Sequence, residues 1–240
     1  MKEAMKKRCS RRSYTKEELR DEDISYLSER IEEINQSAGL HMQLVINNGE
    51  AFHGLKKSYG MFHNVTNYIA LIANSRDVYS KEKLGYYGEK LVLEATQRGL
   101  GTCWVGGTYS AADCPVTLDE HEELYCVIVV GYVKDQKSMK EQLISKGSRR
   151  KSKTIEELCD GQKNIPSWMR EGLEAVQIAP SALFKQPVHF KYENDKVYAK
   201  VASTDGFEMI DMGIAMLHFE LGAENGTWTW GNPATYKVKD

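Results

Sequence analysis

The sequence predicts an α/β or α+β sheet sandwich, and three observations lead there. Segments with helical spacing of apolar residues alternate with short β-rich runs. The order long helix, strand, long glycine-terminated helix, strand occurs in both halves of the chain. The 240 residues, 41% hydrophobic and 28% charged, have an ordinary globular composition and suffice to bury a core.

The elements follow in order. Thr15-Lys16-Glu17-Glu18 fits a capping box, and Leu19, Ile24, Leu27, Ile31 and Ile34 then recur at roughly helical spacing, predicting a helix that ends near Gln36. Met42 to Asn47 reads as a strand and Tyr68 to Ala73 as a buried one. Glu82 to Arg98 is a second helix, stopped by Gly99 and Gly101. Tyr125 to Val133 is a core strand. Lys134 to Ser152 is polar and basic and reads as an exposed excursion, followed by a short helix from Thr154 to Cys159. Pro166 opens a helix through Ile178, with Ser167 or Asn164 as caps. Val188 to Tyr192 and Lys196 to Val201 are strands joined by a turn at Glu193-Asn194-Asp195. Asp205 to Gly222 is a helix and Thr227 to Trp230 a strand, after which Pro233 breaks the run. Gly88 heads a helix that closes at Gly101-Thr102, and Gly213 sits in one that closes at Gly226-Thr227, at the same internal spacing. This faint repeat divides the chain into halves at 1–160 and 161–240.

Bulk properties narrow the function. A net charge of −2 and a pI near 6.3 speak against a nucleic-acid partner, which requires a basic surface. No apolar run approaches the roughly 20 residues that span a bilayer. Met1 to Arg12 is basic without a following apolar stretch, so no secretory signal is expected and the cytoplasm is the expected location. The five cysteines are odd in number and never at C-x-x-C spacing, which suits reduced thiols. His121-Glu122-Glu123 starts like a zinc-protease helix, but Tyr125 stands where the second ligand belongs, so no metal site is expected. No nucleophile–base pair is visible, so no catalytic side chain is assigned.

Arg8-Cys9-Ser10-Arg11-Arg12-Ser13-Tyr14 resembles the R-R-S-x-R-x-F/Y signature of the nitroreductase family, with Cys9 replacing the second arginine. Gly99-Leu100-Gly101-Thr102-Cys103-Trp104-Val105-Gly106-Gly107 is similar to the family's G-L-G-T-x-W-x-G stretch, and Gly85-Tyr86-Tyr87-Gly88-Glu89 to the start of its long central helix. Val130-Gly131-Tyr132 resembles a later strand of the family. Arg150 to Leu158 resembles R-K-P-L-E-E-L, with Thr154 in place of proline. Ala179 to Pro187 resembles A-P-S-x-x-N-x-Q-P, with Phe184 in place of asparagine, and it lies in the second half rather than soon after the arginine signature. Gln36 to Leu40 has lost that motif, and the second half has no arginine signature near Asn164.

The resemblance implies an α+β nitroreductase-like fold of two tandem half-copies, packed as an intramolecular pseudo-dimer with central sheets flanked by helices. It also implies one composite flavin mononucleotide (FMN) site and is compatible with a monomer. Arg8 is the first choice for the phosphate, aided by Arg150, Lys151 or Lys153, with Arg149 left open. Ser10 would bond phosphate or ribityl oxygens, and Arg12 would approach the N1/O2 edge of the ring. Pro180, Ser181 and Ala182 would cover the ring, and Gly106 and Gly107 would bring backbone N–H groups near N5. Gln186 would orient the loop, and Trp104, Trp228 and Trp230 read as core residues. The implied activity carries electrons from NAD(P)H to a nitroaromatic, quinone or similar small aromatic acceptor, with ping-pong kinetics. Phe184 and the missing arginine motivate one alternative, a flavin carrier or sensor without turnover, and a further alternative is a relative of this fold that binds no flavin, or a different ligand.

Overall fold

Helical periodicity and glycine stops become elements in the expected order, with several boundaries moved. The structure is a computed structural model and describes residues 1–54, 58, 60–139, 141–143, 151–160 and 165–239. The chain forms two contact units, one made of Lys7–Ser80 with Leu91–Gly147, the other of Met1–Lys6, Lys81–Lys90 and Ser148–Asp240.

Helix α1 (Lys2–Lys7) opens the chain, and α2 (Asp21–Ala38) follows in the first-named unit. Leu27, Ile31, Ile34 and Ala38 of α2 are buried at three- and four-residue spacing, which makes one apolar stripe. Gly39, in the left-handed region at φ 67°, ends the helix by donating to the Asn35 carbonyl. The expected capping box at Thr15 does not form. The Thr15 N–H is spent on the Tyr132 carbonyl at 2.9 Å, and residues 15–20 stay outside any helix. The helix starts instead at Asp21, where Asp21, Glu22 and Asp23 suit the positive end of the dipole. A capping box does form at Thr154 with Glu157, opening α4 (Ile155–Leu158).

The same unit holds an antiparallel sheet in the order β1-β2-β4-β3, formed by β1 (Gln43–Val45), β2 (Tyr68–Asn74), β3 (Gly101–Val105) and β4 (Glu122–Gly131). The inner strands β2 and β4 are near-continuous apolar runs, as strands covered on both faces must be. Helix α3 (Ser80–Gln97) leads into β3 and stops at Gly99, where φ is 81°.

The other unit holds α4, α5 (Ser167–Gln177) and α6 (Glu208–Ala223) with a sheet in the order β5-β6-β7-β9-β8. Its strands are β5 (Cys159–Asp160), β6 (His189–Glu193), β7 (Lys196–Lys200), β8 (Gly226–Thr229) and β9 (Ala234–Val238). Asn194 and Asp195 take φ of 51° and 57°, the primed turn that suits a two-residue hairpin. Pro233, with no N–H to place in a ladder, sits in the break between β8 and β9, and β9 is the last short segment. Pro166, not Ser167 or Asn164, is the N-cap of α5, and Asn164 lies outside the described residues. A Cβ on Gly213 of α6 would stand 1.9 Å from the Glu82 carbonyl, and one on Gly85 of α3 2.0 Å from that of Ile210. Only glycine lets the two backbones meet so closely. Trp228 and Trp230 pack against this unit's core, and the Trp228 indole donates to the Met216 carbonyl. Among the described residues no helix is long and apolar enough to cross a membrane.

Candidate functional site

Residues 8–14 form an extended segment pinned to its own unit. Ser10 bridges Thr102 and Ser13 bridges His63, both in parallel sense. Arg11 N–H donates to the Thr102 carbonyl and Tyr14 N–H to that of His63, at 2.9 and 3.0 Å. Alternation along an extended chain puts Arg8, Ser10 and Arg12 on one face, and Cys9, Arg11 and Ser13 on the other. The first three gather about Cys103 of β3. Burial raises the pKa of this thiol, while the Arg12 and Arg8 charges and the Ser10 hydroxyl bond work against that rise. Arg12 lies over the Phe62 ring at 6.0 Å, and its buried Nε has no hydrogen-bond partner among the described residues. A donor kept dry without a partner is costly unless something else accepts from it.

The opposite face is closed by a residue that the sequence reading missed. Glu141 Oε1 accepts from Arg12 N–H at 2.7 Å, Ser13 N–H at 3.2 Å and Arg11 Nε at 3.2 Å, while Oε2 accepts from Ser138 N–H at 2.8 Å. Arg11 also donates to the Lys134 carbonyl at 2.9 Å. Burial alone would raise the Glu141 pKa, but the backbone N–H bonds from Arg12, Ser138 and Ser13 and the Arg11 side-chain bond outweigh it and bring it down to about 2. The expected exposed excursion is therefore wrong for Glu141, whose side chain is 2% exposed. Nothing in a polar, lysine-rich stretch marks one glutamate as the partner of an arginine 130 positions away.

Gly106 and Gly107 form the exposed turn that leaves β3. A Cβ on Gly107 would meet nothing within 4 Å, whereas one on Gly101 would come 2.3 Å from Val133. Packing within the chain demands glycine at 101 but not at 107.

In the other unit, Pro180 and Ser181 lead into a one-turn 3-10 helix, Ala182–Phe184. Both carboxylate oxygens of Asp211 lie within bonding distance of the Ala182 N–H, at 2.9 and 3.2 Å, and the Ser181 hydroxyl accepts from Gln186 N–H. Leu183, Phe184 and Gln186 have φ of 53°, 53° and 46°. Left-handed backbone is easier for asparagine than for phenylalanine, so Phe184 carries strain that the family residue avoids. Gln186, 5% exposed, accepts from Lys153 N–H and donates to the Gln177 carbonyl, and Lys153 Nζ donates to the Gln186 carbonyl. Lys151 is exposed, and Arg150 lies outside the described residues.

Asp211 was also missed, although a lone carboxylate within the apolar run Met209 to Phe219 is a readable exception. Burial pushes its pKa up from 3.8 to about 7, with Glu208 adding to the rise and the Ala182 bond and Lys185 opposing it. The folded form therefore holds this proton more tightly than the unfolded chain, so stability falls as the pH rises through that interval. Asp211→Asn keeps an acceptor for Ala182 but cannot ionise. It is expected to be more stable than the parent at pH 8, by up to about 4 kcal/mol at 1.4 kcal/mol per pKa unit, with the gap closing toward pH 4. Melting curves between those pH values check this, and a gap that does not change with pH contradicts it.

The family described as "Putative TM nitroreductase" matches residues 1–223. A crystal structure described as a putative nitroreductase from Thermotoga maritima is 20% identical, with a TM-score of 0.65, covering 98% of this chain and 90% of that one. An FMN-dependent nitroreductase from Clostridium difficile is 20% identical over 61% of this chain and 96% of its own, at a TM-score of 0.44. A nitroreductase with bound FMN from Bacteroides fragilis is 16% identical over 69% and 97%, also at 0.44. Of these three likenesses only the first supports the fold. No curated protein matches the chain. The matched segment takes in the arginine signature, the β3 glycines and the Pro180–Ala182 loop; the chain belongs to this nitroreductase family, which supports a general oxidoreductase role.

Proposed function

We propose that the chain is an FMN-dependent oxidoreductase that takes electrons from NAD(P)H and passes them to a nitroaromatic, quinone or similar small acceptor by a ping-pong mechanism. The observation that carries this is the gathering of Arg8, Ser10 and Arg12 on one face of a pinned segment, with a buried, unpaired Nε on Arg12 among the described residues. The donor set fits the group: two guanidinium forks and a hydroxyl suit a phosphate and a polar chain. FMN, when bound, supplies the redox chemistry.

In this reading Arg8 neutralises the phosphate, with help from Lys151 or Lys153. Lys153 already gives one of its three donors to Gln186. Ser10 donates to phosphate or ribityl oxygens. Arg12 holds positive charge at the N1/O2 edge, where reduction accumulates negative charge. Gly106 and Gly107 offer backbone N–H groups, and the family resemblance assigns Pro180, Ser181 and Ala182 to the ring plane. The halves 1–160 and 161–240 are read as two half-copies that keep complementary motifs, and one FMN per chain is the stoichiometry this reading expects of a cytoplasmic protein. Strain at Phe184 favours a second reading, a flavin binder without turnover, which anaerobic mixing with NAD(P)H separates from the first by whether the flavin bleaches.

The test is direct. The purified chain is expected to be yellow, to release FMN rather than FAD on heating, and to titrate as apoprotein with one FMN per chain. Chromatography of the released chromophore reads the first point, and fluorescence titration with light scattering the second. FAD, no chromophore after added FMN, or two FMN per chain would each reject the proposal.

A further inference from the structure

Two adjacent arginines, Arg11 and Arg12, are chemically equivalent toward an anion, and nothing in their side chains selects which one faces it. In an extended segment a one-residue slip exchanges the faces. It would turn Cys9 and Arg11 toward Cys103, and Arg8, Ser10 and Arg12 away. The backbone of the segment is paired with Thr102 and His63, and backbone ladders do not distinguish side chains; buried Tyr14 anchors only its far end in the core.

We propose that Glu141 is a positioning residue that locks the register of segment 8–14, turning Arg11 into the protein and leaving Arg12 on the ligand face with Arg8 and Ser10. Glu141 Oε1 takes the Arg11 Nε at 3.2 Å and, from the same side, the backbone N–H groups of Arg12 and Ser13 at 2.7 and 3.2 Å. A slipped register would break both amide bonds and leave the Glu141 carboxylate, 2% exposed, without its arginine. Ser138 fixes the lock itself: its N–H donates to Glu141 Oε2, and its hydroxyl meets that of Ser13 at 3.0 Å. A buried ion pair is weak evidence for stability, and fixing one of two near-equal arrangements is its best-attested use.

The proposal makes a prediction opposite in sign to simple electrostatics. Removing a carboxylate close to an arginine cluster should tighten binding of a dianion if charge alone matters. If Glu141 sets the register, its removal loosens binding. The experiment compares the full-length chain with Glu141→Ala and Glu141→Gln, using FMN quenching for affinity and amide hydrogen exchange for the segment. The FMN arm rests on the flavin reading; the exchange arm does not.

In Glu141→Ala the FMN affinity is expected to fall by about tenfold or more. Gln keeps an acceptor oxygen for Arg12 and Ser13, so Glu141→Gln should recover part of that loss. The Arg11 and Tyr14 amides, which bond Thr102 and His63 and never touch Glu141, should lose protection as well. A local acceptor role would leave those two unchanged. Leu27→Ala, a fully buried change in the same unit, supplies a destabilised control in which FMN affinity should hold. FMN affinity equal to or tighter than the parent's, with Arg11 and Tyr14 still protected, overturns the lock. If the parent chain itself binds no FMN, the flavin reading fails, and the exchange at Arg11 and Tyr14 alone decides for or against the lock.

Discussion

Glu89→Ala is expected to cost about 3–5 kcal/mol of stability, as removal of one partner from a fully buried ion pair does. Glu89 Oε1 lies 3.0 Å from His218 Nε2, and both side chains are 0% exposed. The other ring nitrogen, Nδ1, lies 3.1 Å from the Ala175 carbonyl. A carbonyl only accepts, so Nδ1 must carry a proton, and the Nε2–Oε1 bond holds one more, on the imidazole or on the carboxyl. This pair ties α3, α5 and α6 together inside their unit. Without Glu89 the ring nitrogen has no partner in an apolar interior, and a cavity remains beside it. Urea unfolding should show the midpoint fall with little change in slope. The double variant Glu89→Met with His218→Leu should recover part of the loss, because apolar groups of similar volume remove both ionisable partners together, and the Ala175 carbonyl keeps the Ile178 N–H. A loss below about 1 kcal/mol, with the two single changes simply adding, would show that the pair does not hold the helices.

Much of the fold was legible because its signals are local. Apolar spacing gave α2, the run Tyr125 to Val133 gave β4, and Gly99 gave the end of α3, since each depends on neighbours a few positions away. The capping box at Thr15 failed for a non-local reason, a backbone bond to Tyr132 that no short window contains. The same motif succeeded at Thr154, where Glu157 reaches back as the spacing requires. β5 is two residues long and parallel to β6, too short for periodicity to register.

In the proposed site, the residues read from the sequence are those that would face a ligand, and the residues behind them stayed opaque. Arg8, Ser10 and Arg12 were readable because a family signature marks them and strand alternation groups them. Glu141 and Asp211 were not assigned, although each holds backbone N–H groups of a segment carrying expected contacts, Arg12 and Ala182. Such residues serve through geometry, and their sequence context is unrelated to the segment they hold. Asp211 left a trace, because a carboxylate in an apolar helix needs a partner. Glu141 left none, since a glutamate among lysines is the ordinary composition of a surface.

Arg8→Glu should abolish FMN binding while the chain stays folded. A charge-assisted bond lost from a phosphate accounts for about 1.5–3 kcal/mol. The carboxylate that replaces it repels the dianion by about 4 kcal/mol per charge at 4 Å with an effective dielectric near 20, so the affinity should fall by on the order of a thousandfold or more. Net charge must be separated from position. Lys7→Glu makes the same charge change one residue away at an exposed site, and salt screens such a charge, so it should shift FMN affinity by only a few-fold. Riboflavin, which lacks the phosphate, supplies the second control: its affinity should fall far less than that of FMN in Arg8→Glu. Circular dichroism and the melting temperature verify the fold, and fluorescence quenching follows both flavins. An FMN affinity unchanged in Arg8→Glu, or reduced equally in Lys7→Glu, would take Arg8 out of the phosphate site. The duty would then pass to Arg12, whose buried Nε has no other acceptor among the described residues.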